Sequence, residues 1–220
     1  MINQLHTIID LKWLQDQGAC SKGIEWLKEN VISGQITVKE LLDKLISTNE
    51  KEKLVWANWL ITRKLKGTPE LLDYAIFAAY EVLPIYEKEF PNCKIPRRSI
   101  EAAQAYRDNP CEGNRAMIHS AANAANTSAA EAYFTAQIAG YAAADAAAYA
   151  AGVAAKAAKA VCAAANAAYD AADYAANAAD YAAAAAANAA DYAADAAADY
   201  SETLIKIINF GVGLLEKANS

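Results

Sequence analysis

The stretch from residue 166 to 198 constrains the fold of this chain more than any other feature. It divides into three eleven-residue units, NAAYDAADYAA, NAADYAAAAAA and NAADYAADAAA, whose residues other than Ala are Asn, Asp or Tyr. Ala has the highest helix propensity, and no Gly or Pro occurs between Gly152 and Gly211, so the stretch is predicted to form long helices. A stack of short helices, each begun by an Asn cap, is the alternative interpretation.

The polar residues of this stretch are predicted to form one stripe along a helix. At about 100° per residue, the Asn and Asp side chains fall within an arc of about 100°, and the Tyr residues border it. An eleven-residue repeat has about 3.67 residues per turn, so the stripe follows a nearly straight helix. Carboxylates attract a basic partner and Tyr rings can anchor it, although a solvated helix face explains the Asp residues equally well. The candidate partner-binding residues, called the acidic stripe below, are Asp170, Asp173, Tyr174, Asp180, Tyr181, Asp191, Tyr192, Asp195 and Asp199.

Bulky residues and charge divide the chain into two regions. All four Trp and all five Pro precede residue 120. We therefore predict a helical region with a bulky apolar core over residues 1–110 and an Ala-rich helical region over residues 111–220, packed together as one compact unit. Residues 120–220 hold ten acidic and four basic side chains, which accounts for the whole net charge of −6. This charge argues against nucleic acid as a partner.

Helix signals recur along the chain, whereas alternating strand patterns do not. The sequence TVKE forms a capping box from Thr37 to Glu40, and Thr68 stands as a cap before Pro69. Pro84 is expected to kink its helix or end it early. The predicted fold class is all-α, a multi-helix bundle or array of helix pairs with long Ala-rich helices in the C-terminal half. The predicted helices cover residues 10–16, 21–31, 38–47, 50–65, 69–89, 96–107, 110–126, 129 onward and 201–217.

The sequence predicts neither an enzyme nor a metal or cofactor site. Four Cys and two His are scattered without metal-ligand spacing, and no phosphate-binding loop or nucleophile motif occurs. The start of the chain lacks the pattern of a secretory leader, and no apolar run is long enough to span a bilayer. We therefore expect a cytoplasmic protein with no membrane partner.

One concentrated basic segment, KIPRR, opens the helix predicted at 96–107. It places Arg97 and Arg98 where positive charge opposes the helix dipole. These two residues are candidates for binding an anion or for a structural ion pair with Glu81 or Glu87. Separately, the three-residue spacing of Trp56 and Trp59 in VWANWLI is interpreted as a core-facing helix surface.

Several segments together resemble a known family. They are GACSKGIEWL, WANWLITR, LLDYAIFAAYEVLPIYEKEFP, IPRRSIEAAQAYRDNP, the Ala-rich tract and the apolar closing helix. This arrangement resembles the alanine-rich immunity proteins found beside bacterial toxin genes and in phage genomes, most specifically between Trp56 and Pro110. The resemblance implies an all-α protein without catalysis that binds and masks a cognate toxin.

Two other functions are compatible with the same residues. In a protein that sequesters a nucleotide-like molecule, such as a phage counter-defence factor, Tyr rings would stack on a base while Arg97 and Arg98 hold phosphate. Eleven-residue Ala-rich helices also occur in ice-binding proteins, but charged Asp residues disfavour a flat uncharged plane here. The face of these helices opposite the stripe holds only Ala. If no part of the same chain covered it, a second copy would, so a homodimer through the tract is a further alternative.

Overall fold

The computed structural model describes residues 4–114, 116–117, 120–121, 123–124 and 200–217, and these are mostly helical. The prediction of a helical protein is confirmed in this coarse form, but the all-α class misses a small sheet. The Ala-rich helices predicted from residue 129 onward lie outside the described residues. The elements are a 3-10 turn (Gln4–His6), β1 (Ile8–Asp10), α1 (Leu11–Asp16), α2 (Ser21–Asn30), β2 (Gln35–Thr37), α3 (Val38–Ser47), α4 (Lys51–Leu65), α5 (Glu70–Glu89), α6 (Ile95–Asp108) and α7 (Tyr200–Lys217).

The two strands pair antiparallel, with the buried Ile9 opposite the buried Ile36. Each strand ends at a residue that also caps the next helix. The Asp10 carboxylate accepts a hydrogen bond from the Trp13 amide at 2.7 Å and so begins α1. Thr37 is the last residue of β2 and the N-cap of α3. The two strands of the sheet therefore lead directly into α1 and α3.

The capping box of α3 is confirmed. The Thr37 hydroxyl oxygen accepts from the Glu40 amide at 3.2 Å, and the Glu40 carboxylate accepts from the Thr37 amide at 3.1 Å. Both hydrogen bonds satisfy amides that the first turn of a helix leaves without intrahelical partners. The helix predicted at 69–89 begins at Glu70 and continues through Pro84 to Glu89, so it does not end at the proline.

The core lies around α4, which packs against α3, α5 and α7. Its Leu54, Leu60, Ile61 and Leu65 are almost fully buried. Helix α7 belongs to the second region of the sequence, yet its apolar side chains join the same core: they are Leu204, Ile207, Ile208, Leu214 and Leu215. Residues from both predicted regions therefore share one apolar interior. Within the described ranges, no helix is both long and apolar enough to cross a membrane.

Helix α7 approaches its neighbours closely at Gly211, which is buried. A Cβ atom at this position would lie 2.7 Å from Cγ2 of Ile61 on α4 and 2.7 Å from Cε2 of Tyr74 on α5. These distances are shorter than any normal carbon–carbon contact. The absent side chain is therefore what lets three helices meet at this point.

Candidate functional site

The nine residues of the acidic stripe lie outside the described residues, whereas the basic segment lies within them. Arg97 stands in the first turn of α6 and donates from Nε and Nη2 to the two carboxylate oxygens of Glu87, both at 2.7 Å. This fork lowers the pKa of Glu87 through the hydrogen bonds from Arg97, and raises the pKa of Arg97 in return. The ion pair joins the last part of α5 to the start of α6.

The Arg97–Glu87 pair bears on the nucleotide interpretation. A phosphate held by Arg97 would compete with a carboxylate that already accepts from two of its nitrogen atoms. The neighbouring Arg98 side chain is exposed. Glu81, the other acid considered for this pairing, instead forms an ion pair with Lys206 of α7.

Further polar contacts tie α6 to α5. The Tyr80 hydroxyl donates to Oε1 of Gln104 at 2.9 Å, and Arg107 donates to Asp73 at 2.8 Å. The same segment is linked to the chain that follows it, because the Ser99 hydroxyl donates to the Ala121 carbonyl at 3.1 Å. Polar contacts therefore link α5 to both α6 and α7.

An apolar cleft of about 270 Å³ opens between the N-terminal elements and α4. We call it the Trp cleft, because three of the four Trp side chains form part of its wall. All of its lining side chains are apolar except for the thiol of Cys20. The lining residues are Leu14 of α1, Gly18, Ala19 and Cys20 of the following loop, Gly23, Trp26 and Leu27 of α2, Leu41 and Leu45 of α3, and Val55, Trp56, Trp59 and Leu60 of α4.

The four Trp residues form two edge-to-face pairs beside the cleft. The ring centroids of Trp26 and Trp56 are 6.2 Å apart, with an angle of 62° between the planes. Those of Trp13 and Trp59 are 6.3 Å apart at 69°. This arrangement is favourable for aromatic rings because the positive edge of one faces the negative face of the other. The core interpretation of Trp56 and Trp59 is only half correct, since both are half-buried and leave part of each ring in the cleft wall.

Cationic side chains lie over these rings. Lys53 Nζ is 4.3 Å from the ring centroid of Trp56, and Lys64 Nζ is 5.2 Å from that of Trp13. The guanidinium of Arg63 lies 5.8 Å from the ring of Trp59. Lys64 is partly buried, and this burial lowers its pKa. The aromatic cluster is therefore bordered by positive charge, although its interior is apolar.

This arrangement is suited to binding rather than to chemistry. The lining holds no carboxylate, imidazole or amine that could transfer a proton. Within the part of the chain that the structure describes, no three His, Cys, Asp or Glu side chains come together as metal ligands do. The cleft is absent from the sequence-based predictions because it forms only when α1, α2 and α3 pack on α4. The small residues of GACSKG, preceding Trp26, are the one sequence signal that fits it.

Comparison with known proteins identifies one family. The family model described as Immunity protein Imm5 matches residues 53–203. The match covers α5 and α6, nearly all of α4 and the acidic stripe, and it ends in the first turn of α7. The residues of α1, α2 and α3 that line the Trp cleft precede residue 53, so they lie outside the match. No curated protein and no solved structure matches this chain.

Proposed function

Since this chain belongs to the Imm5 family of immunity proteins, which neutralise a cognate toxin, we propose that it covers the toxin's active surface with the acidic stripe. The protein acts without catalysis, so neutralisation depends on affinity and on the surface that is covered. We further propose that the long helices predicted for the Ala-rich tract carry the stripe.

The observation that carries this proposal is the distribution of charge. The whole net charge of −6 comes from residues 120–220, and six of the ten acids there belong to the stripe. Concentrated charge of one sign accelerates association with a partner of the opposite sign and orients the encounter. The partner surface is therefore proposed to be basic, with the Tyr rings as the contacts that hold it after docking.

Contacts at both ends of the Ala-rich tract support this proposal. On the N-terminal side, Ser99 of α6 binds the Ala121 carbonyl. On the C-terminal side, Leu204 and Ile207 of α7 are fully buried in the core. A surface attached at both ends to a packed core loses less conformational entropy on binding than a free segment does.

The experiment is a kinetic comparison with the cognate toxin at several salt concentrations. The triple variant Asp180→Asn, Asp191→Asn, Asp195→Asn is expected to associate more slowly, with a weaker salt dependence, while Tyr181→Ala is expected to dissociate faster. A triple variant of exposed acids outside the stripe, Asp43→Asn, Glu101→Gln, Glu216→Gln, changes the net charge equally and serves as the control. Unchanged association of the stripe variant at low salt would place the binding surface elsewhere.

We also propose that a second copy of the chain covers the Ala face opposite the stripe. Small side chains allow two helices to approach closely. Contact with a second copy would remove the apolar Ala face from water, which is favourable. Sedimentation of the purified protein across a range of concentrations tests this, because a homodimer would dissociate on dilution. A monomer at all concentrations contradicts the dimer and leaves the toxin-binding proposal unaffected.

A further inference from the structure

We propose that the Trp cleft is a second contact site for the toxin, and that it receives an apolar side chain standing beside a carboxylate on the toxin surface. The proposal rests on the proposed function, since it takes the cognate toxin as the partner. It adds a surface that the family match does not assign, because most of the lining precedes residue 53. The two sites bind different parts of the toxin. The acidic stripe binds a basic surface, and the Trp cleft binds an apolar side chain that stands beside a carboxylate.

The size of the cleft sets the first requirement for its occupant. Its volume of about 270 Å³ is well above the roughly 150 Å³ of an engineered apolar cavity that holds benzene. One large side chain, aromatic or branched, fits such a space. Apolar pockets that receive a single anchoring side chain are the places where protein interfaces concentrate their binding energy.

The walls are held in place before any partner arrives. Behind the cleft, Leu27, Leu41 and Leu60 are each no more than 4% exposed. The Trp26 ring is fixed against Trp56 in the edge-to-face pair, so its orientation does not depend on an occupant. A wall that is ordered before binding lowers the entropy cost of binding. An occupant is therefore held more tightly than in a cleft whose side chains must first become ordered.

Positive charge at the border sets the second requirement. Lys53 lies against Trp56, and its nearest described carboxylate oxygen, on Glu50, is 4.0 Å from Nζ. Lys64 lies over Trp13 and forms no ion pair within the described ranges. A carboxylate brought beside these ammonium groups gains charge-assisted hydrogen bonds without displacing a close ion pair. A basic neighbour would be repelled, so the border selects an acidic one.

Two probes of the same shape test the cleft itself in the full chain. Anilinonaphthalenesulfonate carries an apolar ring system and an anion, whereas N-phenylnaphthylamine has similar rings and no charge. We expect both to bind, the anion more tightly, with Trp fluorescence quenched in each case. Lys53→Gln is expected to weaken binding of the sulfonate several-fold and leave that of the neutral probe unchanged.

A filled cleft provides the second variant. A Cβ atom at Gly23 lies 3.5 Å from Cys20 Sγ and 3.9 Å from two ring atoms of Trp56, all ordinary contacts, so a methyl group is accepted there. Because Gly23 lines the cleft, the further atoms of a Leu side chain are expected to enter it. Gly23→Leu is expected to weaken binding of both probes by about tenfold. The control is Gly213→Leu on α7, where nothing lies within 4 Å of an added Cβ. Equal binding by both variants, or no probe binding by the unaltered protein, overturns the proposal.

The cognate toxin separates failure of this inference from failure of the proposed function. We expect the toxin to displace the bound probes and to dissociate about tenfold faster from Gly23→Leu than from Gly213→Leu. If the toxin binds without displacing the probes and leaves both variants at the same rate, the cleft is not a contact site while the proposed function stands. If the unaltered protein does not bind the toxin, the proposed function itself is overturned.

Discussion

The Tyr74 hydroxyl donates a hydrogen bond to Oδ1 of Asn58 over 2.8 Å, inside the apolar interface of α4 and α5. Neither residue is more than 2% exposed. Burial raises the pKa of Tyr74, so the phenol remains a protonated donor throughout the neutral range. A buried amide beside a buried hydroxyl permits one alignment of the two helices, because a shifted alignment would leave polar atoms without partners.

Loss of this hydrogen bond should destabilise the fold without changing the size of the core. Tyr74→Phe keeps the ring but removes the donor to Asn58, which is expected to cost about 1–3 kcal/mol in the free energy of unfolding. Tyr80→Phe is the matched control, because its hydroxyl bonds Gln104 at a half-buried position where water can take over. Urea denaturation measures both, and an equal loss in the two variants would mean that burial of the pair contributes nothing.

Two glycines on one helix provide a test of how closely α7 is packed. Gly211→Ala would place a methyl group 2.7 Å from atoms of Ile61 and Tyr74, and overpacking of this kind costs about 1–3 kcal/mol. Gly213→Ala, on the same helix, meets nothing within 4 Å and is expected to stabilise the helix by about 0.5–1 kcal/mol. Thermal unfolding of the two variants should therefore shift in opposite directions. Shifts of the same sign would contradict the close approach of α7.

Helices could be predicted from the sequence because their signals are local. The capping box from Thr37 to Glu40 and the apolar periodicity after it specify α3 within a few residues, and the structure confirms both. The sheet could not be predicted in this way. Each of its strands has three residues, too few for alternation to show, and Asp10 and Thr37 carry capping signals that favour the helix interpretation. Pairing of Ile9 with Ile36 is visible only in the fold.

The Trp cleft could not be predicted because its parts are distant in sequence. A spacing of three between Trp56 and Trp59 places two rings on one helix face but does not say whether that face is sealed. Whether it opens depends on how α1 and α2 pack beside it, and small residues such as Gly23 leave the gap. The basic segment was more tractable, because Arg97 at a helix start needs a nearby anion, which the structure supplies as Glu87.

The Arg97–Glu87 ion pair should contribute to stability in a defined range of pH. The pKa of Glu87 is lower in the folded chain than its ordinary value of about 4.3, because Arg97 donates two hydrogen bonds to the carboxylate. The unfolded chain therefore takes up this proton first as the pH falls. The stabilisation from this ion pair is fully present at pH values more than about one unit above 4.3. It is lost as the pH falls through the pKa that Glu87 has in the folded chain.

Glu87→Gln isolates that contribution. At pH 7 the variant is expected to be less stable than the unaltered protein, and the difference should shrink as the pH is lowered toward 3. Lys39 and Asp43 form an exposed ion pair at neighbouring turns of α3, so Asp43→Asn serves as a control with little effect. A stability difference for Glu87→Gln that stays constant between pH 7 and pH 3 would show that charge is not the source of the effect.

Cys20 offers a direct measure of whether the cleft is covered when toxin is bound. Its thiol is exposed and forms part of the cleft wall, so an alkylating reagent should reach it in the free protein. An apolar side chain of the toxin seated in the cleft would block that approach, and alkylation of Cys20 is expected to slow by about tenfold or more at saturating toxin. Cys111 is exposed as well and lies outside the lining, so its rate within the same sample is the internal control. Peptide mass spectrometry reports both thiols at once. If Cys20 reacts as fast in the complex as in the free protein while toxin remains bound, the toxin leaves the cleft open, and the aromatic cluster with its cationic border serves the packing of α1 and α2 on α4 alone.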